Sequence, residues 1–343
     1  MQTPSARLND ITLARNIPVF VTMELTRRCP LSCRHCYLPE TRGRAKPGRE
    51  LGTAQWKKVI YSLARAGGLY LVFTGGEPLL RADLPELCAY ASARGFSVRV
   101  FSTGLPLDAV MAGRLAAAGL AAFEISFYGP PAAHDKVTGL RGSFERSLAA
   151  ARLLKRTGVA VRMKTPLMRG NLRWAGWLRE LAGREGFSIS FDPVLAPAND
   201  GDGAPLRLRL PAAGLAAALR LDPPSRRRVQ SVPPSAGADL VCGAGRNVCS
   251  VAPDGTLSPC LQLPVKLGSL AARSFGKIWK GSAWLKTWRR TGAGDLPVCS
   301  GCKDKEFCAR CPGISLLERG DVLAPNSQAC AMAAAMRRLH GRR

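Results

Sequence analysis

The chain has 343 residues, of which 46% are hydrophobic and 22% are charged. This composition excludes a disordered chain, and the length exceeds that of one average domain, so we predict a large unit followed by a smaller one. The first fifteen residues carry charges throughout and contain no apolar segment typical of a secretory signal. The weakly polar stretch 110–127 is interrupted by Arg114 and Glu124, which excludes a membrane span there. We therefore expect a cytoplasmic protein without a membrane-spanning helix.

Charge and cysteine content narrow the functional class. The formal net charge is +26, which would attract RNA, acidic peptides or anionic lipids. Basic residues are scattered along the chain, apart from a run at 226–228 and the C-terminal tail. We therefore interpret the charge as a solvated basic surface and do not expect nucleic-acid binding. Twelve cysteines in a reducing compartment favour metal binding or redox chemistry over disulfides.

Short apolar runs with β character alternate with helical patterns between residue 20 and about residue 195, which is typical of βα units on a parallel sheet. The spacing of apolar residues predicts a helix at 53–66, with Thr53 as the candidate N-cap. A second helix is predicted at 83–94, where Cys88 lies on the apolar face as a core residue. Six strands are predicted, at 19–25, 70–73, 97–102, 122–127, 160–165 and 188–192.

Six βα units are too few to close an eight-stranded barrel. We therefore predict an α/β fold with an open, partial (β/α)6 barrel, whose active site lies at the carboxyl ends of the strands. Near residue 197 the alternation of strand and helix patterns ends, and prolines, glycines and charged residues become frequent. Cysteines are dense after residue 242. The predicted divisions are an N-terminal lead-in at 1–18, the barrel at 19–196, a linker or substrate-facing region at 197–241, a small cysteine-rich domain at 242–330 and a basic tail at 331–343.

Three cysteines follow the first predicted strand within one tight loop, at Cys29, Cys33 and Cys36. Three thiolates can hold three irons of a cubane cluster and leave the fourth iron free to bind a ligand. The alternative is a zinc site with His35 as the fourth ligand, although a histidine adjacent to Cys36 would chelate the same ion awkwardly. The spacing therefore favours an iron–sulfur cluster.

A glycine-rich turn with an acidic residue follows the second predicted strand, at Gly75, Gly76 and Glu77. Two glycines allow the backbone to approach a ligand closely, and exposed carbonyls together with Glu77 can bind an ammonium group. The same residues could instead form a simple strand-to-helix turn, with Glu77 near the helix start. The cysteine loop at the same end of the predicted sheet favours ligand binding.

Together these two motifs resemble those of the radical S-adenosylmethionine (SAM) superfamily, whose fold is a partial βα barrel. The resemblance implies a catalytic [4Fe–4S] cluster on the three loop cysteines, with SAM on the open iron and its methionyl amino group at the glycine-rich turn. It also implies that Ser126, at the end of the fourth strand, contacts the ribose and that the backbone of His35 contacts the adenine. The third strand ends in Ser-Thr-Gly at 102–104, where relatives often carry an extra Asn, so no SAM contact is predicted there.

Two neighbouring residues, His134 and Asp135, could suggest an acid–base pair. Adjacent residues of these types more often belong to a turn and a helix cap. We therefore predict a structural role for both residues, and the sequence indicates no catalytic acid or base.

Eight further cysteines lie in the C-terminal region, with Gly255 five positions before one of them. This arrangement resembles the SPASM domain, which binds two auxiliary [4Fe–4S] clusters, although the spacing between Cys308 and Cys311 is two residues rather than the commoner three. The resemblance implies that the first auxiliary cluster is held by Cys242, Cys249, Cys260 and Cys311. It implies that the second is held by Cys299, Cys302, Cys308 and Cys330. Two four-cysteine zinc sites would use the same thiolates, but the N-terminal motifs favour iron.

The resemblance implies reductive cleavage of SAM to a 5′-deoxyadenosyl radical that abstracts a substrate hydrogen, while the auxiliary clusters accept an electron or bind a substrate group. We therefore predict an oxidoreductase-type enzyme that forms a crosslink, a thioether or a related modification on a ribosomally made peptide or protein. Formylglycine formation is disfavoured, because Leu261 follows Cys260 where sulfatase-maturing relatives carry an Asp.

The expected partners are a precursor peptide or protein and a reductant such as flavodoxin or ferredoxin. Fewer than twenty residues precede the first predicted strand, so we expect leader recognition to need a separate leader-binding protein or the basic surface. Three alternatives stay open: a radical SAM enzyme for a small-molecule or porphyrin-related substrate, an RNA-modifying enzyme, and a non-catalytic zinc protein. The RNA enzyme would bind with a steep salt dependence, and the zinc protein would not cleave SAM.

Overall fold

A computed structural model of the chain describes residues 3–42, 48–221 and 241–340. Its first six strands lie within two residues of the predicted positions, because each apolar run was long enough to mark a buried strand. They are Phe20–Thr26 (β1), Tyr70–Gly75 (β2), Ser97–Ser102 (β3), Ala122–Ser126 (β4), Val161–Pro166 (β5) and Ser188–Asp192 (β6). Three short strands follow near the C-terminal cysteines: Val248–Val251 (β7), Thr256–Ser258 (β8) and Gly268–Ser269 (β9).

Helices connect the strands of the N-terminal part and surround the C-terminal cysteines. The first eight are Pro4–Arg15 (α1), Thr53–Arg65 (α2), Leu84–Ser92 (α3), Ala109–Ala117 (α4), Pro131–Thr138 (α5), Ser143–Arg156 (α6), Ala175–Glu185 (α7) and Ala212–Leu221 (α8). Four more are Phe275–Gly281 (α9), Ala283–Arg290 (α10), Pro312–Arg319 (α11) and Ser327–His340 (α12). Short 3-10 helices occupy Glu40–Arg42, Pro78–Leu80, Leu172–Trp174, Ala204–Leu208, Ala293–Asp295 and Lys305–Phe307.

All nine strands form one sheet in the order β6-β5-β4-β3-β2-β1-β7-β8-β9. Strands β1 to β6 are parallel, β7 is parallel to β1, and β8 and β9 continue antiparallel. The sheet ends at β6 on one side and at β9 on the other, so it does not close within the described residues. The prediction of an α/β fold with a partial barrel is therefore confirmed.

The two faces of the sheet differ in character. Side chains alternate between the two faces along each strand. On the face that the helices cover, Met23 of β1 is fully buried and Val21 is almost fully buried. The opposite face is polar and holds Glu124 between Arg99 and Lys164, at 3.1 and 3.5 Å. The apolar face therefore supplies the core, and the polar face lines the inside of the partial barrel.

Two details of the predicted helices can be compared with the structure. Cys88 is fully buried in the core, as predicted. The prediction that Thr53 caps α2 was wrong, because Gly52 is the N-cap and its amide donates to the Gln55 side chain at 3.0 Å. The Thr53 hydroxyl instead donates to Asp83 Oδ2 at 2.7 Å, which joins α2 to the start of α3.

The region predicted as a linker and the predicted tail contain helices. Helix α8 buries Leu215 and Leu219 and packs on α12, which buries Ala335 and Met336. The basic run at 226–228 lies outside the described residues. Within the described ranges no helix is long and apolar enough to cross a membrane.

Candidate active site

The loop with the first three cysteines directly follows β1 and is fixed from two sides. On one side, the amides of Ser32 and Arg34 donate to the carbonyls of Thr138 and Val137 at the end of α5. The last carbonyls of a helix lack partners within the helix, so they are available to hold a loop. On the other side, the amide of Glu77 donates to the carbonyl of Arg28 at 2.8 Å. The loop therefore has a defined shape.

The three thiols of this loop lie close enough for their charges to interact. Burial raises the pKa of Cys29 to about 12, and the neighbouring Cys36 thiolate adds to this shift. Burial also raises the pKa of Cys33, with contributions from both Cys36 and Cys29. Buried thiolates that repel each other need a cationic partner, and an iron cluster supplies one. The donor set therefore fits a cluster bound by three thiolates.

The described residues contain no three His, Cys, Asp or Glu side chains close enough to hold a single metal ion. A single zinc ion needs its four ligands within little more than 2 Å of the metal, whereas a cubane places each thiolate on a separate iron. No disulfide involves any of the twelve cysteines.

The two glycines of the turn after β2 permit direct backbone contact with the cysteine loop. Gly75 has a φ of 136°, and a Cβ at this position would overlap the carbonyl oxygen of Thr26. A Cβ at Gly76 would overlap the carbonyl oxygen of Arg28. Any larger residue would push the turn away from the loop that carries the thiols.

The Glu77 side chain is fully buried and accepts four hydrogen bonds. Oε1 accepts from the Leu79 amide at 3.0 Å and from Ser102 Oγ at 2.7 Å. Oε2 accepts from both the amide and the hydroxyl of Thr103. Burial raises the pKa of Glu77, and the hydrogen bonds from Thr103 and Ser102 oppose this shift. The carboxylate thus joins the ends of β2 and β3, and the backbone carbonyls of the turn are the groups left for an ammonium ligand.

Ser126 and His35 meet through a third residue, Tyr128. Tyr128 Oη lies 3.3 Å from His35 Nε2. Burial raises the pKa of Tyr128, the nearby Cys33 thiolate adds to this shift, and Ser126 opposes it. Burial lowers the pKa of His35 to about 4, so its imidazole is neutral near pH 7. The end of β4 is thereby tied to the cysteine loop. Sequence reasoning missed Tyr128, because nothing near it in the chain signals its contact with a loop over ninety residues away.

Asp135 and His134 have the structural roles that the sequence predicted. The Asp135 carboxylate accepts hydrogen bonds from the Gly142 amide at 2.6 Å and from the Phe144 amide and the Ser143 hydroxyl at 2.9 Å. It therefore caps the start of α6. His134 is 1% exposed and packs among aromatic rings that include Phe144.

Four of the C-terminal cysteines form one group. Cys299 and Cys302 lie in a turn, Cys308 follows a 3-10 helix, and Cys330 lies in α12. Burial raises the pKa of Cys308 to about 11, and Cys330, Cys299 and Cys302 each add to the shift. The structure thus brings together the four residues predicted for the second auxiliary cluster.

Three other C-terminal cysteines form a second group. Burial raises the pKa of Cys260 to about 12, with further contributions from Cys242 and Cys311. Cys311 is the N-cap of α11. Cys249, predicted to complete this set, lies on β7 opposite Val21 and is fully buried in the core. The structure therefore groups three of the four residues predicted for the first auxiliary cluster, and Cys249 interacts with one of them, Cys260.

Asn326 connects the two groups and was not found from the sequence. Its side-chain amide donates to the carbonyl of Cys311 at 3.1 Å, and its side-chain oxygen accepts from the amide of Ala329 at 2.8 Å. Asn326 is 1% exposed. One buried asparagine side chain therefore joins Cys311 of one group to the start of α12, the helix that carries Cys330 of the other.

A cavity of about 380 Å³ lies between the loop after β6 and the C-terminal helices. Arg209 braces its wall, since Nη1 lies 2.6 Å from Glu318 Oε1 and the guanidinium also donates to the carbonyl of Leu195. Its lining combines apolar and polar groups, from Pro197, Gly201, Gly203, Leu206, Leu317, Glu318, Arg319 and Ser327.

Comparison with known proteins agrees with this geometry. The profile of the Radical SAM superfamily matches residues 23–173, and that of the SPASM iron–sulfur cluster-binding domain matches residues 242–312. A PqqA peptide cyclase from Rhodopseudomonas palustris is 30% identical over 92% of this chain and 87% of the relative. An AdoMet-dependent heme synthase from Nitratidesulfovibrio vulgaris is 26% identical over 89% of this chain and 90% of the relative.

A solved structure shares the fold. Streptococcus suis SuiB, in complex with its precursor peptide SuiA, superposes with a TM-score of 0.73 at 13% identity, covering 95% of this chain and 79% of SuiB. The matches exclude the non-catalytic zinc protein that the sequence left open. The protein is an enzyme whose cofactors are SAM and iron–sulfur clusters. The chain belongs to the radical SAM superfamily and carries a C-terminal SPASM domain.

Proposed function

We propose that this enzyme oxidatively modifies a ribosomally made peptide or protein, forming a crosslink, a thioether or a related product. The observation that carries the proposal is the 30% identity to a PqqA peptide cyclase over 92% of the chain. The shared fold with a protein solved in complex with its precursor peptide supports it. When bound, SAM and the reduced catalytic cluster supply the one-electron chemistry that removes a hydrogen atom from a C–H bond.

The cavity beside the C-terminal helices is our proposed peptide site. Apolar groups such as Leu206 and Leu317 can bind side chains, while the Arg319 guanidinium can donate to the carbonyls of a peptide. A porphyrin-type substrate would favour a compact apolar pocket instead. The mixed lining therefore supports an extended peptide.

The residues proposed to hold the cofactors follow from the two motifs. Cys29, Cys33 and Cys36 are the proposed cluster ligands, because they share one fixed loop and repel each other when ionised. The carbonyls of the turn at Gly75 and Gly76 are proposed to bind the SAM ammonium group. Glu77 holds this turn in place, while Ser126 and the backbone of His35 are proposed to contact the nucleoside. We also propose the barrel at 19–196 and the cluster domain at 242–330 as the two functional units.

Two protein partners belong to the proposal. A reductant such as flavodoxin or ferredoxin delivers the electron, and a separate leader-binding protein or the basic surface presents the precursor. We also propose a cytoplasmic location, because an iron–sulfur cluster-binding domain such as that matched at residues 242–312 suits a reducing compartment.

The test combines SAM cleavage with mass spectrometry of the peptide. The reconstituted enzyme is incubated anaerobically with dithionite, SAM and candidate precursor peptides. We expect 5′-deoxyadenosine together with a peptide that has lost hydrogen atoms in pairs. The matched control is the Cys29→Ala/Cys33→Ala/Cys36→Ala variant, which should yield neither product. SAM cleavage that leaves every such peptide unchanged would contradict the proposal.

A second candidate has its own support. The 26% identity to an AdoMet-dependent heme synthase covers 89% of the chain, nearly as much as the peptide cyclase match. The enzyme would then act on a porphyrin-type small molecule. Conversion of such a substrate in the same assay, with the peptides unchanged, would select this function.

A further inference from the structure

We propose that Lys164, inside the partial barrel, determines substrate specificity by binding a carboxylate group of the substrate beside the proposed nucleoside site. This assignment rests on the proposed function, because it names a chemical group that the substrate of that reaction carries. An acidic side chain supplies the carboxylate in a peptide, and an acidic substituent supplies it in a porphyrin-type molecule.

Lys164 lies level with the proposed ribose contact, Ser126. Ser126 of β4 is the pairing partner of Lys164 on β5, and Lys164 is in turn the partner of Ser190 on β6. Side chains alternate along a strand, so Lys164 points to the same face as Arg162, two residues earlier. Its Nζ lies 3.5 Å from Glu124 Oε2, which belongs to the polar inner face. Lys164 therefore enters the barrel next to Ser126.

The strand order separates Lys164 from the amino-acid part of SAM and places it on the substrate side. The proposed ammonium site follows β2, and the proposed ribose contact ends β4, two strands further along the sheet. Lys164 lies one strand beyond, on β5, and β6 then ends the sheet within the described residues. The loop after β6 contributes Pro197 and Gly201 to the cavity proposed for the substrate. A substrate that extends from this cavity to the nucleoside therefore passes Lys164.

The positive charges around Lys164 outnumber the carboxylates. Glu124 is 3% exposed and is shared by two cations, Arg99 at 3.1 Å and Lys164 at 3.5 Å. Arg162 and Asp192 also lie close enough to act on the charge of Lys164. Three cations thus face two carboxylates, and one positive charge lacks a counterion within this group of described residues. A carboxylate from a ligand would supply that counterion.

The Lys164 ammonium group also has donors available for a ligand. It carries three N–H donors, and its 3.5 Å distance to Glu124 Oε2 exceeds the length of about 2.7–2.9 Å that is usual for a charge-assisted hydrogen bond. Nζ lies 3.5 Å from the ring centroid of Phe101, which attracts the charge without replacing a carboxylate. Burial lowers the pKa of Lys164, and Glu124 opposes this shift only in part. The side chain is 35% exposed, so a ligand can reach it.

The first experiment measures how far a carboxylate protects Lys164 from acetylation in the reconstituted full-length enzyme with saturating SAM. The probe is glutarate, and the uncharged control is glutaramide at the same ionic strength. Acetic anhydride labels the lysines, and peptide mapping by mass spectrometry gives the rate at each one. We expect glutarate to slow acetylation of Lys164 by about tenfold and glutaramide to leave it unchanged. Equal rates with the two probes would overturn the proposal.

Lys57 is the internal control in the same digest. Like Lys164 it has a carboxylate and an aromatic partner, because its Nζ lies 2.5 Å from Glu86 Oε1 and 5.3 Å from the ring centroid of Tyr90. Its side chain is 32% exposed, close to the 35% of Lys164, but it lies on α2, outside the barrel. Glutarate should leave its rate unchanged. Equal protection of both lysines would mean general screening by the anion and would refute a site at Lys164.

Lys164→Met distinguishes the substrate from SAM as the source of the carboxylate, because SAM carries a carboxylate of its own. Circular dichroism checks that the variant is folded, and equilibrium dialysis measures its affinity for SAM. We expect the affinity of the parent enzyme. A folded variant that binds SAM about tenfold more weakly would assign Lys164 to the SAM carboxylate and contradict the proposal.

The last experiment tests whether the reaction uses this contact. Each Asp or Glu of a peptide that the enzyme modifies is replaced singly by Asn or Gln, and for a porphyrin-type substrate the amidated molecule is used. We expect one replacement to raise the KM of the parent about tenfold and to have no further effect in Lys164→Met. A replacement that acts equally in both enzymes, or no sensitive carboxylate in the parent, would exclude the contact. Failure to modify any peptide would contradict the proposed function alone, because protection by glutarate does not depend on turnover.

Discussion

The amide of Thr103 donates a 2.7 Å hydrogen bond to Glu77 Oε2, and the Thr103 hydroxyl donates to the same oxygen. Glu77 follows β2 and Thr103 follows β3, so this contact joins the ends of two neighbouring strands. The turn proposed to hold the SAM ammonium group is therefore fixed by a carboxylate that itself makes no contact with solvent.

We predict that Glu77→Gln weakens both the fold and SAM binding. Its amide nitrogen cannot accept the hydrogen bonds that one carboxylate oxygen accepts, so buried donors lose their partner at a cost of about 1–3 kcal/mol. Urea unfolding and equilibrium binding of SAM measure the two effects. The control is Glu86→Gln, whose side chain is 50% exposed and pairs with Lys57. Equal stability of the two variants would contradict the role assigned to Glu77.

Asp135→Ala should lower the free energy of unfolding by about 2 kcal/mol, at the upper end of the range for a helix cap. Its carboxylate accepts three hydrogen bonds at the start of α6. The comparison is Asp108→Ala, because the Asp108 side chain accepts one bond at the start of α4 and should cost about 1 kcal/mol. Denaturant unfolding measures both, and a larger loss at Asp108 would contradict the prediction.

The buried imidazole of His134 should make the fold sensitive to acid. Burial lowers the pKa of His134 from 6.5 to about 4, although Asp135 raises it in part. Between pH 6.5 and 4 the unfolded state binds a proton that the folded state does not, so stability falls as the pH falls through this window. The loss is of the order of 3 kcal/mol.

The measurement is the unfolding free energy of the iron-free chain at several pH values between 4 and 7. His134→Phe, which keeps an aromatic ring in the cluster with Phe127, Tyr128 and Phe144, should reduce the dependence on pH. His35, whose pKa is also lowered to about 4, should leave a remaining slope. An unchanged slope in His134→Phe would show that this histidine does not titrate as predicted.

Asn326→Ala should loosen both auxiliary clusters, because the Asn326 side chain donates to the carbonyl of Cys311 and accepts from the Ala329 amide at the start of the helix that carries Cys330. We expect a stability loss of about 1–3 kcal/mol and faster removal of auxiliary iron by a chelator. Asn171→Ala is the matched control, since Asn171 is equally buried and bonds to Met168 and Pro166 in the barrel. Asn171→Ala should lower the free energy of unfolding by a similar amount, but a chelator should not remove auxiliary iron from it faster than from the parent protein. Equal rates in both variants would contradict a specific role for Asn326.

Arg310→Met should make the reduction potentials of the auxiliary clusters more negative. Arg310 lies near Cys242 of one group and Cys308 of the other, and its positive charge favours the reduced, more negative clusters. Redox titrations followed by electron paramagnetic resonance measure the potentials. Arg338→Met, at an exposed position of α12, removes the same charge and should leave the potentials unchanged. A matching shift in both variants would point to net charge instead.

Local patterns predicted the parts of the fold that depend on neighbouring residues. The six barrel strands follow from apolar runs, and the cysteine loop and the glycine-rich turn follow from their spacing. Helix α8 was not predicted, because the prolines, glycines and arginines around it indicate a loop, although the helix itself is rich in alanine and leucine. Burial against α12 stabilises it.

The contacts of the candidate site that could not be predicted join distant parts of the chain. Tyr128 reaches His35, Asn326 reaches Cys311, and Arg209 reaches Glu318. Each of these polar residues would be ordinary on a protein surface. Their burial and their partners depend on how the barrel and the C-terminal helices pack.

Strand β1 has a neighbour on each side, β2 of the barrel and β7 of the cysteine-rich part. The same backbone thus belongs to both units, and a hinge between them would have to break a parallel strand pair. The distance between the loop at 29–36 and the C-terminal cysteines is therefore fixed when the chain folds and does not change during turnover. A chain cut before residue 242 would leave β1 with an unpaired edge, which invites pairing with other molecules. Expression of the barrel alone should consequently yield aggregates, whatever its cofactor content.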